Sequence, residues 1–495
     1  MNYSESVFQA CRASDQVFVL HPRFERANFY AQQVRVLHLL IELVKQDIVH
    51  PVKKREIGII GGGIAGLTAA AGALSMGLGV RLFDPKENLL SQYNQAIHRE
   101  IHPNIISWPF NQLRAVTNLP FLNWGFAPAN KVAEKIRTQW KEHIERHTKI
   151  IPAKVISVED DDGGAIIKTE NEGEFNVHAA ILTVGFEREK LVEGCDSTSY
   201  WTPRVCEGNT PVWISGIGDG GLIDVACQTY GLDATKVARE LAYCLDEKPQ
   251  KNAILYAEQE ALRKYLAGDQ EGSVNDLGRF YSMLGIEPED IDQFQNSKIP
   301  DVAPANLIHR RVSPYSPLSC PINKVLVSVM AEGGNPEVVM YRGSVERTED
   351  GSIILKTETD EVSFDTRRCF IRHGADHAVW ELLTETQKIR LDDASKSTLA
   401  EPVPDFIYDE WKELFSERQL IPDEWYADYL YQIIREILAS AGCANVEINR
   451  DNSSNEWKVQ AADIKSRGTK GIFPIEMGEI RVSLTDTPNA EFTAI

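Results

Sequence analysis

The sequence lacks the features that mark several other classes of protein. It has no run of about 18 apolar residues, which a membrane-spanning helix needs. No signal-peptide pattern opens it, so we expect a cytoplasmic protein that does not enter a membrane. Basic residues are in the minority, with 52 Lys+Arg against 72 Asp+Glu and a net charge of −20. This balance argues against a broad surface for nucleic acid or anionic membranes.

Paired cysteine motifs are also missing. None of the eight cysteines forms a C-x-x-C pair or a zinc-ligand spacing, which is typical of free thiols in a reducing compartment. We therefore predict no metal site, and redox chemistry without a local dithiol motif. The length of 495 residues exceeds what one hydrophobic core usually serves, so two or three domains are expected.

The most informative stretch that is present covers residues 57–84, IGIIGGGIAGLTAAAGALSMGLGVRLFD. An apolar strand breaks into Gly61, Gly63 and Gly66, a helix of small residues follows, and a second apolar strand ends at Asp84. Gly61 permits the turn, Gly63 lets the backbone approach a pyrophosphate, and Gly66 lets the helix pack on the strand. The helix N-terminus attracts phosphate, and Asp84 is placed to bind a ribose. The stretch predicts a dinucleotide-binding βαβ unit.

Other residues complete the candidate first site. Ile64 and Ala65 open the helix, Val155 lies in a later strand, and Gly185 ends the strand AAILTVG. Arg99 lies in a polar, aromatic loop that could cover a cofactor. Its guanidinium suits a pyrophosphate, although an arginine paired with an acid explains it equally well.

An internal repeat indicates a second unit of the same kind. Three pairs of segments recur in the same order: 97–103 with 308–314, PANKV (128–132) with PINKV (321–325), and 163–185 with 350–374. The second copy also opens with glycines directly after an apolar strand, at Gly216, Gly218 and Gly221. Its greater length predicts a helical insertion near residues 253–295.

These observations predict an α/β protein with tandem Rossmann-like dinucleotide-binding domains, β-meander crossovers and a C-terminal α+β domain. The expected domains are an N-terminal helical extension (1–55), a first Rossmann-like domain (56–210), a second with the insertion (211–376) and the C-terminal domain (377–495).

On these residues the chain resembles the two-dinucleotide-binding-domain flavoproteins, the glutathione-reductase-like class. The resemblance covers roughly residues 56–376 and includes the strand AAILTVG. It implies FAD on the first half, at Gly61, Gly63, Gly66 and Asp84. On the second half it implies NAD(P)H, at the three glycines from Gly216 to Gly221. In that class the nicotinamide passes a hydride to the flavin, which then reduces an acceptor.

Two departures leave alternatives open. The class closes its FAD site with a Gly-Asp after a strand, and no good candidate follows Gly374. The clear Gly-Asp is Gly218-Asp219, inside the second fingerprint. It could therefore close a single FAD domain, with residues 250–376 holding substrate. The repeat favours two nucleotide sites, and Asp219 is a cofactor-site candidate under both interpretations.

The functional hypothesis is an FAD-dependent oxidoreductase that draws electrons from NAD(P)H and passes them to an unidentified small molecule or oxygen. No side-chain acid or base stands out. An FAD-only oxidase and a non-catalytic nucleotide-binding scaffold are the alternatives. The scaffold would meet a partner protein through aromatic helices, although core packing explains these aromatic residues more simply: Trp411, Trp425, Tyr426, Tyr429 and Tyr431. Arg310 and Arg311 either suit the 2′-phosphate of NADPH or lie in a loop equivalent to that of Arg99.

Overall fold

The computed structural model of the protein describes most of residues 2–394 and the strands of the C-terminal part. The described residues are 2–20, 27–50, 56–86, 88–171, 173–185, 189–190, 192–195, 199–202, 205–206, 208, 210–286, 303–332, 338–349, 352–374, 378–394, 403–404, 406, 411, 444–451, 456–462, 475–477, 480–484 and 491–494.

The first half is built on a parallel sheet. Its helices are α1 (Tyr3–Cys11), α2 (Phe29–Lys45), α3 (Ile64–Ser75) and α4 (Ala129–Gln139). Its strands are β1 (Val17–Val19), β2 (Glu56–Ile60), β3 (Gly79–Phe83), β4 (Glu100–Ile101), β5 (Ala127–Pro128), β6 (Lys149–Ile151), β7 (Val155–Asp161), β8 (Gly164–Thr169), β9 (Gly173–Val177) and β10 (Ala179–Leu182). The sheet has the order β1-β10-β2-β3-β6, and each pair is parallel. The strands β7, β8 and β9 form an antiparallel meander.

The second half repeats this plan. Its helices are α5 (Asp219–Tyr230), α6 (Ala234–Asp246), α7 (Pro249–Leu266), α8 (Gln270–Tyr281) and α9 (Pro321–Glu332). Its strands are β11 (Val212–Ser215), β12 (Ala305–His309), β13 (Val338–Arg347), β14 (Ile353–Thr357), β15 (Glu361–Ser363) and β16 (Cys369–Ile371). The order is β15-β14-β13-β12-β11-β16, with β16, β11, β12 and β13 parallel. The far end of β13 enters an antiparallel meander with β14 and β15.

The two sheets superimpose strand by strand in their order: β10, β2, β3 and β6 correspond to β16, β11, β12 and β13. Each glycine turn begins with the same hydrogen bond to the neighbouring strand. The Gly61 N–H donates to the Phe83 carbonyl (2.8 Å), and the Gly216 N–H donates to the Ile308 carbonyl (3.1 Å). Phe83 and Ile308 are therefore equivalent.

This equivalence sorts the three repeated segment pairs. The PxNKV segments begin α4 and α9, and the 163–185 and 350–374 segments form corresponding meanders and return strands. The match of 97–103 with 308–314 is wrong. Ile308 lies in the central strand β12 and its counterpart in the first half is Phe83, whereas residue 97 lies 14 positions beyond Phe83 in the chain. The similarity between these two short segments led to an incorrect alignment. Arg310 and Arg311 are therefore not equivalents of Arg99.

The predicted insertion is helical, although residues 287–302 lie outside the described residues. Its described residues form α6, α7 and α8, between the first helix and the second strand of the second half, so it begins before the predicted residues 253–295. A buried charge pair fastens it: the Lys324 ammonium of α9 contacts Glu258 of α7 at 2.6 Å, with both side chains fully buried. The Tyr281 hydroxyl of α8 donates to the same carboxylate (2.5 Å).

The N-terminal segment is more than the helical extension that we expected. Its α2 packs against α3, and its strand β1 joins the first sheet beside β10, with Val17 opposite Ala180. A three-residue apolar strand carries too little pattern to be recognised in sequence. One edge strand of the first sheet is thus supplied by the start of the chain.

The fold-class prediction is confirmed: the protein is α/β, with two parallel, Rossmann-like sheets in tandem. Beyond them lie α10 (Glu385–Ala394) and a five-stranded antiparallel sheet of β17 (Ala444–Asp451), β18 (Glu456–Ala462), β19 (Ile475–Met477), β20 (Ile480–Leu484) and β21 (Glu491–Ala494), in the order β17-β18-β21-β20-β19. The aromatic residues proposed for a partner surface are only partly described. Trp411 is fully buried against Phe121, so it is a core residue. The other four lie outside the described residues: Trp425, Tyr426, Tyr429 and Tyr431. In the described part of the chain, no helix has the length and apolarity to span a bilayer.

Candidate dinucleotide sites

At the first glycine turn, backbone conformation and close contacts require glycine at two positions. Gly61 has φ +106°, a conformation that L-residues rarely adopt. A Cβ on Gly66 would lie 1.8 Å from the Gly61 carbonyl oxygen, so the helix can begin this close to the strand only with glycine. A Cβ on Gly63, the N-cap of α3, would meet nothing within 4 Å among the described residues. The space ahead of the helix is therefore open to a ligand.

Asp84 lies beside this turn, directly after β3. Its Oδ2 accepts a hydrogen bond from the Gly62 N–H (2.6 Å), and its Oδ1 accepts one from the Lys86 N–H (2.8 Å). A carboxylate has about four acceptor positions, so ribose hydroxyls can still bind. The carboxylate thus fixes the glycine turn as well as being available to a sugar.

Thr183 is a residue of this site that the sequence reasoning missed. Its hydroxyl contacts the carbonyl oxygens of Ile60 and Gly61, each at 2.9 Å, and so joins the return strand to the turn. It is the threonine of AAILTVG, and that motif was the available signal. Gly185 follows it with φ +68°.

The remaining first-site candidates occupy the carboxyl edge of the sheet or lie close to it in the chain. Ile64 and Ala65 are the first two residues of α3, and each is 7% exposed. Val155 is buried and begins β7, four residues after β6 ends. The strands of the first sheet are parallel, so their carboxyl ends lie at one edge of that sheet. Ligands of α/β sheets bind at this edge.

The second glycine turn has the same geometry. Gly216 has φ +130°, and a Cβ on Gly221 would lie 2.0 Å from the Gly216 carbonyl oxygen. Gly218 is the N-cap of α5, and a Cβ there would meet no described atom within 4 Å. Both turns therefore have the backbone shape and the open approach that a pyrophosphate requires.

The Asp219 side chain forms hydrogen bonds within the second half. Its Oδ1 accepts hydrogen bonds from the Cys320 N–H (2.7 Å) and the Asn323 amide (2.9 Å), at the start of α9. The strand that precedes it, β11, is central in the second sheet. Gly218-Asp219 thus belongs to the second glycine turn.

Arg99 requires a correction. Its guanidinium is 1% exposed and forms an ion pair with Asp224 of α5. It also donates to the Tyr200 carbonyl (3.0 Å) and to the Cys227 Sγ (3.4 Å). The prediction that it binds the pyrophosphate at the first turn is wrong, because its donors are used within the protein. Arg99 is instead an arginine paired with an acid, as the alternative interpretation stated, and that acid lies in the second half.

Asp224 joins two arginines beneath the second turn. Its second oxygen accepts a hydrogen bond from the Arg372 Nε (2.6 Å). Arg372 stands at the position of Thr183, since its N–H donates to the Ser215 carbonyl as that of Thr183 does to Ile60. The centroid of the Tyr200 ring lies 4.4 Å from the Arg99 guanidinium carbon. Sequence alone gave no signal for this cluster, because its members are far apart in the chain.

Glu189 borders the same cluster. Its Oε1 lies 3.9 Å from the Arg372 Nη1, and its Oε2 is buried with no hydrogen-bond partner among the described residues. Burial raises the pKa of Glu189 to about 7, with Arg372 opposing the shift and Asp224 adding to it. This carboxyl therefore titrates near neutral pH.

The second strand ends differently in the two halves. The position of Asp84 is taken by His309, followed by the exposed Arg310 and Arg311. His309 contacts the Arg311 carbonyl at 2.8 Å through Nδ1, which shapes the loop. Burial lowers the pKa of His373 at the neighbouring strand end, and the charge of Arg310 contributes to that shift. Cationic side chains thus replace the acid at this edge.

The fold and the two turns define a protein with tandem dinucleotide-binding-type units. Residues 42–159, which contain the first turn, match the family described as alanine dehydrogenase/PNT, C-terminal domain. No curated protein matches the chain.

Solved structures align with it at low similarity. Thioredoxin reductase from Lactococcus lactis has 13% identity over 73% of this chain and 100% of its own, with a TM-score of 0.36. The bacillithiol disulfide reductase Bdr from Staphylococcus aureus has 14% identity over 66% and 79%, with a TM-score of 0.36. OTEMO, in a complex with FAD and NADP, has 11% identity over 70% and 76%, also with a TM-score of 0.36.

Proposed function

We propose that the protein is an FAD-dependent oxidoreductase of the cytoplasm that takes electrons from NADPH. FAD would bind at the first turn and NADPH at the second, with a small molecule or oxygen as acceptor. The observation that carries the proposal is the pair of open glycine turns, Gly61–Gly66 and Gly216–Gly221, each at the start of a buried helix.

The strand ends support the assignment of the two nucleotides. Asp84 offers carboxylate oxygens to ribose hydroxyls but would repel a 2′-phosphate. Arg310 and Arg311 offer guanidinium groups at the corresponding edge of the second sheet, where they can form charge-assisted hydrogen bonds to a 2′-phosphate. This difference in charge supports FAD on the first half and NADPH rather than NADH on the second.

The chain's own residues would hold and orient the two nucleotides. The first N–H groups of α3 and α5 would donate to the phosphates, whose negative charge the helix dipoles favour. Thr183 and Asp84 fix the first turn, while Arg372 packs beneath the second, its Cδ 3.4 Å from a Cβ placed on Gly220. A bound flavin supplies the hydride-accepting ring. Fixed binding of both nucleotides contributes to rate by positioning.

The test is the absorption spectrum of the purified protein, followed by anaerobic addition of NADPH or NADH. We expect a flavin spectrum that bleaches promptly with NADPH and more slowly with NADH. Colourless protein that takes up neither nucleotide would overturn the proposal. A flavin spectrum that neither reductant changes would instead favour an oxidase that uses FAD alone.

A further inference from the structure

Two of the described cysteines are far apart in the sequence but lie in the same part of the fold. Cys195 lies in the connection between the two halves, and Cys369 is the first residue of β16, 174 positions later. No disulfide joins them in the structure. Cys369 belongs to a buried cluster with Trp213 and Leu355, and Cys195 packs against that cluster.

A hydrogen bond and an ion pair hold the connection against the second half before it reaches Cys195. The Lys190 N–H donates to the Gly374 carbonyl (2.9 Å), and Glu193 forms an ion pair with Arg347 of β13. The Cys195 N–H donates to the Val192 carbonyl (3.0 Å), which closes a turn that presents the cysteine. These contacts hold the turn that carries Cys195 against the second half, beside the buried cluster that contains Cys369.

The two thiols differ in exposure and acidity. Cys369 is fully buried, whereas Cys195 is half-buried. The hydrogen bond from Cys369 lowers the pKa of the Cys195 thiol, and the same contact, with burial, raises the pKa of Cys369. Cys195 is thus the thiol that ionises and that a reagent can reach, while Cys369 stays protonated beside it.

We propose that Cys195 and Cys369 form a reversible disulfide with a low-molecular-weight disulfide as oxidant. The Cys195 thiolate attacks one sulfur of the oxidant, the oxidant's S–S bond breaks, and one thiolate leaves. The Cys369 sulfur then attacks the mixed disulfide at Cys195, gives up its proton to the solvent and releases the second thiolate. The two cysteines are oxidised by two electrons and the oxidant is reduced to two thiols. The bond fastens the connection to the edge strand of the second sheet.

The experiment is oxidation of the full-length protein with glutathione disulfide, followed by acid quenching, alkylation, digestion and mass spectrometry. We expect one cross-linked peptide pair containing Cys195 and Cys369, removed by dithiothreitol. Cys195→Ser should leave Cys369 unmodified, and Cys369→Ser should trap glutathione on Cys195. Cys244→Ser, at another half-buried cysteine, should form the cross-link as the parent does.

The parent protein alone can refute the proposal, so it does not depend on variants that fold. Differential alkylation of the oxidised parent that still labels both cysteines after unfolding would overturn it. A stable glutathione adduct on Cys195 with a free Cys369 would also overturn it, as would a cross-link from Cys195 to a different cysteine.

Discussion

The two halves share one backbone plan and differ in what surrounds it. In the first half the turn is fixed by small groups, the Thr183 hydroxyl and the Asp84 carboxylate. In the second half Arg372 takes the place of Thr183, with Asp224 and Arg99 beside it. The turn geometry is thus the same in both halves, while the charged groups around the turn differ.

The halves also differ in how they are stabilised. The first sheet gains β1 from the N-terminal segment as an edge strand. The second gains a helical insertion, fastened by the fully buried Lys324–Glu258 pair and Tyr281. Removal of one partner of a buried ion pair leaves the other charge buried without compensation.

The largest effect is expected from breaking that buried pair. Glu258→Ala leaves the Lys324 ammonium buried and should lower the free energy of unfolding of the second half by about 3–5 kcal/mol. Denaturant unfolding monitored by fluorescence measures this change. Glu260→Ala is the matched control on the same helix, since its carboxylate is at the surface beside Arg263, and it should leave the transition unchanged. Equal effects of the two substitutions would contradict the role of the pair.

An intermediate effect is expected at the cationic strand end. Arg310→Ala with Arg311→Ala removes the groups proposed for the 2′-phosphate, so NADPH should bind roughly tenfold to a hundredfold more weakly. NADH affinity should stay constant, because NADH has no 2′-phosphate. Binding is measured by titration of the flavin-loaded protein. Arg367→Ala, an exposed arginine before β16, is the control. A parallel loss of NADH affinity would show that these arginines shape the loop and do not select the phosphate.

The smallest effect concerns pH. The folded-state pKa of Glu189 is about 7, above the ordinary value of 4.5, so folding favours the protonated form. Its contribution to stability is fully present below about pH 4.5 and is lost as the pH rises through about 7. Glu189→Gln should therefore flatten the fall in melting temperature between about pH 5 and pH 8. Exposed Glu134→Gln should not. A pH profile of Glu189→Gln identical to that of the parent would exclude Glu189 as the titrating group.

Local patterns in the sequence predicted the tandem α/β fold, both glycine turns and the helical insertion. Each of these depends on residues that are close in the chain, such as Gly61 to Gly66. Prediction failed where contacts cross the chain: Arg99 pairs with Asp224, 125 positions away, and the letters around it carry no sign of that acid. Strand β1 was missed because three apolar residues form no period. The match of 97–103 with 308–314 failed because similar residue types in two segments do not show that the segments are structurally equivalent.

The most direct test of two separate nucleotide sites is a pair of matched substitutions, Gly63→Val and Gly218→Val. Neither added side chain begins in contact with a described atom, so both proteins should fold, as circular dichroism would verify. Gly63→Val should lose FAD while NADPH still binds, and Gly218→Val should keep FAD and lose NADPH. Normal flavin content in Gly63→Val, or loss of the same nucleotide in both variants, would contradict the account.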